Sequence, residues 1–296
     1  MRLGVHLPNG PITAADWTAL EQMRPTAVAT MGQHHDAAVC ERLEGISHPL
    51  FIARSNPDYG SALHAWSTLP LSACQQGRAF VRFGNEQNIE GLTAAEYTSR
   101  FIAAKLALRV PMLVTNLAFV TGWQQYLAGM ARAIEVSDGI ALSLYRDDAS
   151  DPGRWLSGYA PYGKPLYAVE LGVDYEREER RTAWTRWVLP TLEAAGVRAA
   201  TVFILGGYPG GAWWDGWILS PVEIEGLAQL VSEQGGEVIP PVTEIDQNVL
   251  TAIMHRYWAS YSALLAERDR HNTELSRLAA EMHKQIVDYK QAAGLQ

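Results

Sequence analysis

The sequence predicts an α/β fold, a (β/α)8 or TIM barrel followed by a C-terminal long helix, and three observations point there. Through residues 1–237, eight short apolar runs rich in β-branched residues alternate with longer amphipathic stretches. This is the pattern of repeated β-α units around a parallel sheet, and eight units is the count at which such a sheet closes. An open doubly wound sheet is the competing architecture, but no Gly-x-Gly-x-x-Gly follows the first run, so a dinucleotide site has no support.

The first run, Leu3–Leu7, precedes a helix over Ala14–Met23; the second, Ala27–Met31, precedes a helix over Asp36–Leu43. The third, Leu50–Arg54, leads into a segment that the periodicity does not divide. After the fourth, Ala79–Gly84, a helix is expected over Thr93–Leu108, with Thr93 as the cap and Glu96, three residues on, as its capping-box partner. The fifth run, Met112–Leu117, is followed by a helix over Gly122–Glu135, and the sixth is Gly139–Tyr145. The seventh, Leu166–Leu171, precedes a helix over Glu176–Ala195, and the eighth, Thr201–Leu205, precedes one over Pro221–Glu233.

Composition narrows the class. A hydrophobic fraction of 48% against 19% charged residues is that of an ordered globular chain. The formal charge of −8 gives no sequence-wide attraction for nucleic acid or anionic lipid, and no apolar stretch approaches the length of a membrane span. Cys40 and Cys74 are too few for a disulfide framework and match no zinc spacing, so both are expected as free thiols in packed helices. The N-terminus reads directly as a strand and turn rather than a secretory leader, which implies cytoplasmic synthesis and leaves signal-independent release open.

Beyond the barrel, Val238-Ile239-Pro240-Pro241-Val242 opens a linker over 238–246, because proline fixes its own φ and keeps its predecessor out of the helix. In 247–296, Leu250, Met254, Tyr257, Tyr261, Leu264, Leu275, Leu278, Met282 and Tyr289 recur at spacings that trace a heptad seam, interrupted by Arg268, His271 and Gln285. Two readings follow: a coiled coil that makes the chain a homo-oligomer, which the seam favours, or one long helix folded back on the barrel.

Barrels of this type place their chemistry on the loops after the strands. There the fourth run closes in Phe83-Gly84-Asn85-Glu86-Gln87-Asn88, and the apolar seventh ends in Glu170 followed by Leu171-Gly172. A charge in such a strand needs a reason. Strands four and seven lie three places apart in an eight-membered ring, so Glu86 and Glu170 face one another across the mouth, as the acid and the second carboxylate of glycosidic cleavage must. Their bland alternative is a pair of rim carboxylates tied into salt bridges. One feature fits poorly: alternation back from Glu86 turns Arg82 into the barrel. It must find a carboxylate there, or the register of strand four is off by one, or a bulge intervenes before Asn85.

Gly84-Asn85-Glu86-Gln87-Asn88 resembles the Gly-Asn-Glu-Pro-Asn element of clan A glycoside hydrolases, with Gln87 in place of the frequent proline. The resemblance covers the barrel and rests on two short motifs at the right strand ordinals. It implies a retaining double displacement with Glu86 as acid/base and Glu170 as nucleophile, Asn85 on the sugar 2-hydroxyl, and Tyr145, ending strand six, beside the nucleophile. It also implies a tryptophan beneath the sugar after strand eight, for which Trp213 and Trp214 are both eligible.

Of the ten tryptophans, Trp123 and Trp155 follow strands five and six and are candidates for outer subsites, whereas Trp17, Trp66, Trp184 and Trp187 sit in helix-like segments and are read as packing. His6, His34 and His35 are read as hydroxyl donors to substrate rather than metal ligands, since no zinc spacing appears. Arg54 is a candidate for holding a carboxylate or sugar acid, and Asn116, in the fifth run, is counted with the substrate contacts. No metal or cofactor is expected, and the partner is an oligo- or polysaccharide. The reading from another class is a noncatalytic sugar-binding or scaffolding barrel, assembled by its tail into a larger, phage-like particle.

Overall fold

The computed structural model of the chain describes residues 1–7, 10–31, 37–115, 117, 121–146, 152–173, 185, 188–203, 205 and 219–234. Its eight parallel strands are β1 (Arg2–His6), β2 (Ala27–Met31), β3 (Leu50–Ser55), β4 (Ala79–Phe83), β5 (Met112–Thr115), β6 (Gly139–Arg146), β7 (Leu166–Val173) and β8 (Val197–Val202). They close in sequence order, with β8 pairing back onto β1.

The strands alternate cleanly between two cores. Ala29, Ile52, Phe80, Leu113, Ala141, Val169 and Ala199 form a cluster of their own inside the barrel. Their neighbours Val28, Phe51, Val81, Val114, Leu142 and Ala168 pack outward with Leu20, Leu43 and Phe101 of the surrounding helices. Two residues further along, the inward positions turn polar, to His6, Arg54, Arg82, Thr115 and Ser143. Most of the inward positions at the strands' C-terminal ends are therefore polar.

The helices that follow the early strands start where capping chemistry puts them. Helix α1 (Ala14–Met23) has a Thr13–Asp16 capping box, and α2 is Ala37–Ser47. The stretch after β3 resolves into α3 (Tyr59–Ser67), capped by Asp58, and α4 (Leu71–Gln75), begun after Pro70. Helix α5 (Ala94–Leu108) carries the expected Thr93–Glu96 capping box.

The single helix expected over Gly122–Glu135 is instead two, α6 (Trp123–Gly129) and α7 (Ala131–Val136), broken at Met130. Gly129 is a poor helix former, and a Cβ there would lie 2.7 Å from that of Ala94 on α5. Close approach of the two helices thus uses the residue that weakens the first. Helix α8 is Pro152–Tyr159, residues 188–194 are helical, and α9 (Pro221–Glu233) begins in a Ser220–Glu223 capping box.

The eighth strand corrects the sequence expectation of Thr201–Leu205, because it begins four residues earlier, at Val197. Gly196, at φ +75°, ends the preceding helix in the left-handed region and releases the chain directly into the sheet. The expected linker at 238–246 and the helix or coiled coil of 247–296 lie outside the described residues.

A β-bulge shapes the site. Pairing of β6 with β7 steps from Leu142↔Ala168 to Ser143↔Glu170, so β7 carries one extra residue at that level. Val169 belongs to the interior cluster and Leu171 to the outer one, and the inserted residue turns Glu170 inward beside Val169.

Candidate active site

Arg82 is 1% exposed and projects from β4 into the barrel's upper layer. It finds the carboxylate that the sequence required: Nη1 donates to Glu170 Oε1 at 2.5 Å. Nη2 donates to Asn85 Oδ1 at 2.6 Å and to Ser143 Oγ at 3.1 Å, and the Ser143 hydroxyl donates to Glu170 Oε2 at 3.0 Å. Both of these donors treat Glu170 as an acceptor through each of its oxygens, which is how an ionised carboxylate pairs. The bulge lies in β7, not before Asn85, and the register of strand four stands as the sequence implied.

Glu86 sits just beyond β4, half-buried. The Gly84 N–H extends the ladder by donating to Ser55 O at 3.0 Å, and the chain then turns at Gly84 with φ +87°. A Cβ at Gly84 would stand 2.9 Å from Gln87 Nε2, so glycine serves both the backbone angle and the packing. The amides of Ile89 and Glu90 then donate to Glu86 O, at 3.0 and 3.2 Å, winding the loop into a helical turn. Within that turn Glu90 accepts from Asn85 Nδ2 at 2.8 Å and Gln87 Nε2 at 2.7 Å, and Arg54 Nη2 lies 3.7 Å from its carboxylate.

Two buried tyrosines anchor the rim. The Tyr97 hydroxyl donates to Phe83 O at 2.7 Å and accepts from the Thr115 amide at 3.1 Å, tying the ends of β4 and β5. Tyr159 accepts from the Leu117 amide at 3.1 Å. Burial pushes the pKa of both phenols well above the usual range, and the charge of Glu86 adds to the effect at Tyr159. Both therefore act as fixed hydrogen-bonding posts at neutral pH.

The two glutamates are not equivalent. Burial pushes the Glu86 carboxyl above the ordinary range, and the negative charges of Glu170 and Glu90 add to this against the opposing Arg82 and Arg54. His6, 1% exposed, is pulled down to about 4, chiefly by burial, and stays neutral at pH 7. Its Nδ1–H is used on Leu7 O at 2.8 Å, because a carbonyl can only accept. That tautomer leaves Nε2 as an acceptor, not the hydroxyl donor expected from sequence.

The structure thus brings Glu86, Glu170, Asn85, His6 and Arg54 to one end of the barrel. Tyr145 pairs with Gly172 near the end of β6, and nothing is described of its side chain. His35, Asn116, Trp213 and Trp214 lie outside the described residues, as do His34, Trp184, Trp187 and the Trp155 side chain. Trp123 is half-buried, packing on Tyr159 with ring centroids 6.3 Å apart and lying over Gly158. Trp17 and Trp66 pack against the core as expected, and Arg42 lies 3.9 Å over the Trp17 ring. Cys40 and Cys74 are free thiols in α2 and α4.

Sequence reasoning left Ser143 and Glu90 unassigned. Ser143 was findable, as the inward residue two before Tyr145 on β6, whereas Glu90 is only an acidic residue in a polar loop. Among the described residues no group of three His, Cys, Asp or Glu could hold a metal ion, and no helix is long and apolar enough to cross a membrane.

No protein-family model matches the chain, and no curated protein does. Solved structures do. A GH128 (subgroup VI) exo-β-1,3-glucanase from Aureobasidium namibiae is similar at 11% identity and a TM-score of 0.53, over 76% of this chain and 90% of that one. An endo-β-1,4-glucanase from Xanthomonas axonopodis pv. citri is similar at 13% and 0.52, over 78% and 98%. The chain shares the eight-stranded barrel fold of these glycoside hydrolases. A third similar structure is the clostridial cellulose synthase subunit Z from Clostridioides difficile, at 10% identity and 0.51, over 77% and 99%. At such identities the likeness is one of architecture, and the chemistry must be argued from this chain's own side chains.

Proposed function

We propose that the protein is a retaining glycoside hydrolase acting on an oligo- or polysaccharide, with Glu86 as acid/base and Glu170 as nucleophile. The observation that carries this reading is the opposed treatment of two carboxyls at one barrel mouth. Glu170 is held as an acceptor by Arg82 and Ser143, while burial and neighbouring negative charge favour the protonated form of Glu86. A double displacement needs that division.

In the first step the Glu86 carboxylic acid gives its proton to the glycosidic oxygen. That carbon–oxygen bond breaks as a Glu170 oxygen bonds to the anomeric carbon. In the second, Glu86, now a carboxylate, takes a proton from water, whose oxygen attacks the same carbon and displaces Glu170. Two inversions leave the configuration retained and return both groups to their starting states. Asn85, Tyr145, His6, His35, Arg54, Asn116 and Trp213 or Trp214 are the proposed sugar contacts. The names of the similar structures favour a β-linked glucan.

Glu170 is 5% exposed, with hydrogen bonds at both oxygens, and this favours the second reading, a noncatalytic sugar-binding barrel. Glu170→Ala separates the two. It should abolish turnover of an activated aryl glycoside, and azide should restore activity with an inverted glycosyl azide as product. Rescue at Glu86 instead, with retained configuration, would exchange the roles; absence of wild-type turnover across aryl glycosides and glucans would leave the binding reading. The tail is proposed to self-associate, so deletion after Val242 should lower the sedimenting mass to that of a monomer.

A further inference from the structure

We infer that Glu90 is a positioning residue for the acid/base: its carboxylate clamps the two amides on either side of Glu86 and so fixes how that side chain addresses the mouth. The inference rests on the glycosidase reading. Its geometry is specific to this loop. Oε1 of Glu90 holds Asn85 and Oε2 holds Gln87, one residue before and one after Glu86, while the Glu90 amide donates to Glu86 O from within the same turn. Gln87 is 1% exposed, so one of the two clamped amides is buried, while Glu90 itself stays exposed.

The clamp also stands where backbone rigidity is missing. A proline at position 87 would fix φ there, and Gln87 does not; the loop is tied by side chains instead. Arg82 extends the tie to the other carboxylate, because it donates to both Asn85 and Glu170. The arrangement therefore runs Glu90–Asn85–Arg82–Glu170, a chain of bonds between the acid/base loop and the nucleophile. Among the described residues, the charged and titratable groups around Glu86 are Glu170 from β7, Arg82 from β4, Arg54 from β3, Tyr159 from α8, and Glu90 itself. Removing the negative charge of Glu90 moves the Glu86 carboxyl back toward the ordinary range.

Glu90→Gln tests this, because Asn85 and Gln87 donate to different oxygens of Glu90, and the amide puts an NH2 donor in place of one of them, facing a donor. Carbon-13 NMR titration of the Glu86 carboxyl, assigned with Glu86→Gln, should show a lower midpoint in the variant. The basic limb of kcat/KM should move down in pH with it. For a phenyl glycoside, which needs its leaving oxygen protonated, kcat/KM should fall on the order of tenfold, well inside the roughly 10²–10⁴ that a positioned acid supplies. A dinitrophenyl glycoside, whose leaving group departs unprotonated, should be nearly unaffected. Gln87→Leu breaks half of the clamp but keeps the charge of Glu90, so it should give the leaving-group-dependent loss with the limb close to wild type. An unchanged Glu86 midpoint, or equal losses on both substrates in both variants, would overturn the inference. A wild-type protein inert toward every aryl glycoside and glucan would reject the glycosidase reading, and the NMR titration would still decide whether Glu90 governs the Glu86 proton.

Discussion

Replacing Arg82 with methionine keeps an unbranched side chain of similar reach and removes every donor. The Arg82 and Glu170 side chains are 1% and 7% exposed, so the variant buries a carboxylate deprived of its guanidinium. Breaking a buried pair from one side costs about 3–5 kcal/mol. In a barrel of this size each kcal/mol lowers Tm by roughly 2–4 °C, which puts the expected drop at about 6–20 °C. Asn85 and Ser143 lose bonds too, so the upper half of that range is the better expectation.

The pair can be separated from general damage by a double-mutant cycle. Arg82→Met with Glu170→Met buries neither charge, and replacement of a buried ion pair by packed apolar groups is often neutral or stabilising. The double variant should therefore be more stable than Arg82→Met alone. Urea unfolding at pH 7, followed by the fluorescence of ten tryptophans, gives all four corners of the cycle. A single-variant loss below about 1 kcal/mol, or a double variant whose loss is the sum of the two singles, would refute the claim that Glu170 depends on Arg82.

Two further outcomes follow from charge and burial. Glu44 is buried against Arg78, whose Nη2 donates to it at 2.5 Å; burial raises its carboxyl, but the hydrogen bonds from Arg78 and Ser72 and the Arg78 charge outweigh that and hold it below the usual range. A depressed carboxyl stabilises above its unfolded value near 4.3 and loses that contribution as pH falls through its folded value, so Glu44→Gln should cost about 3 kcal/mol at pH 7, and its gap to wild type should narrow as pH falls below about 4 in denaturant titrations. Glu86 has the opposite sign: its raised carboxyl stabilises fully below the unfolded value and loses this as pH rises through the folded one. Thermal melts should therefore find Glu86→Gln gaining on wild type between pH 4 and pH 7, while the basic limb of its activity profile disappears.

Much of the barrel was legible because its signals are local. Thr93 and Glu96 fix the start of α5 by a reciprocal bond three residues apart, and Ala27–Met31 is a strand in sequence and structure alike. The eighth strand was misplaced for a physical reason. Its first four residues, Val197-Arg198-Ala199-Ala200, carry an exposed arginine and two residues of low β-propensity, whereas Val202-Phe203-Ile204-Leu205 looks more strand-like. Small side chains suit a barrel interior that Phe80 and Tyr167 already crowd. That is a packing constraint from other strands, which local pattern cannot carry.

The site itself was legible in its residue types but not in how they are aimed. Strict alternation from the interior Val169 would send Glu170 outward, on the side of the apolar Ala168 and Leu171, where burying a carboxylate is costly. One inserted residue in β7 reverses this, and the reversal is worth making only because Arg82 already stands inside the barrel, two positions beyond Phe80. Neither feature is stable alone: an inward Arg82 without Glu170 is an uncompensated cation at 1% exposure, and an inward Glu170 without Arg82 is the matching anion. The bulge and the arginine are thus one device, and the odd arginine in the apolar run Ala79–Phe83 is its visible trace in the sequence. A buried cation on an otherwise apolar barrel strand says that a carboxylate faces it from another strand, even when alternation points that carboxylate the wrong way.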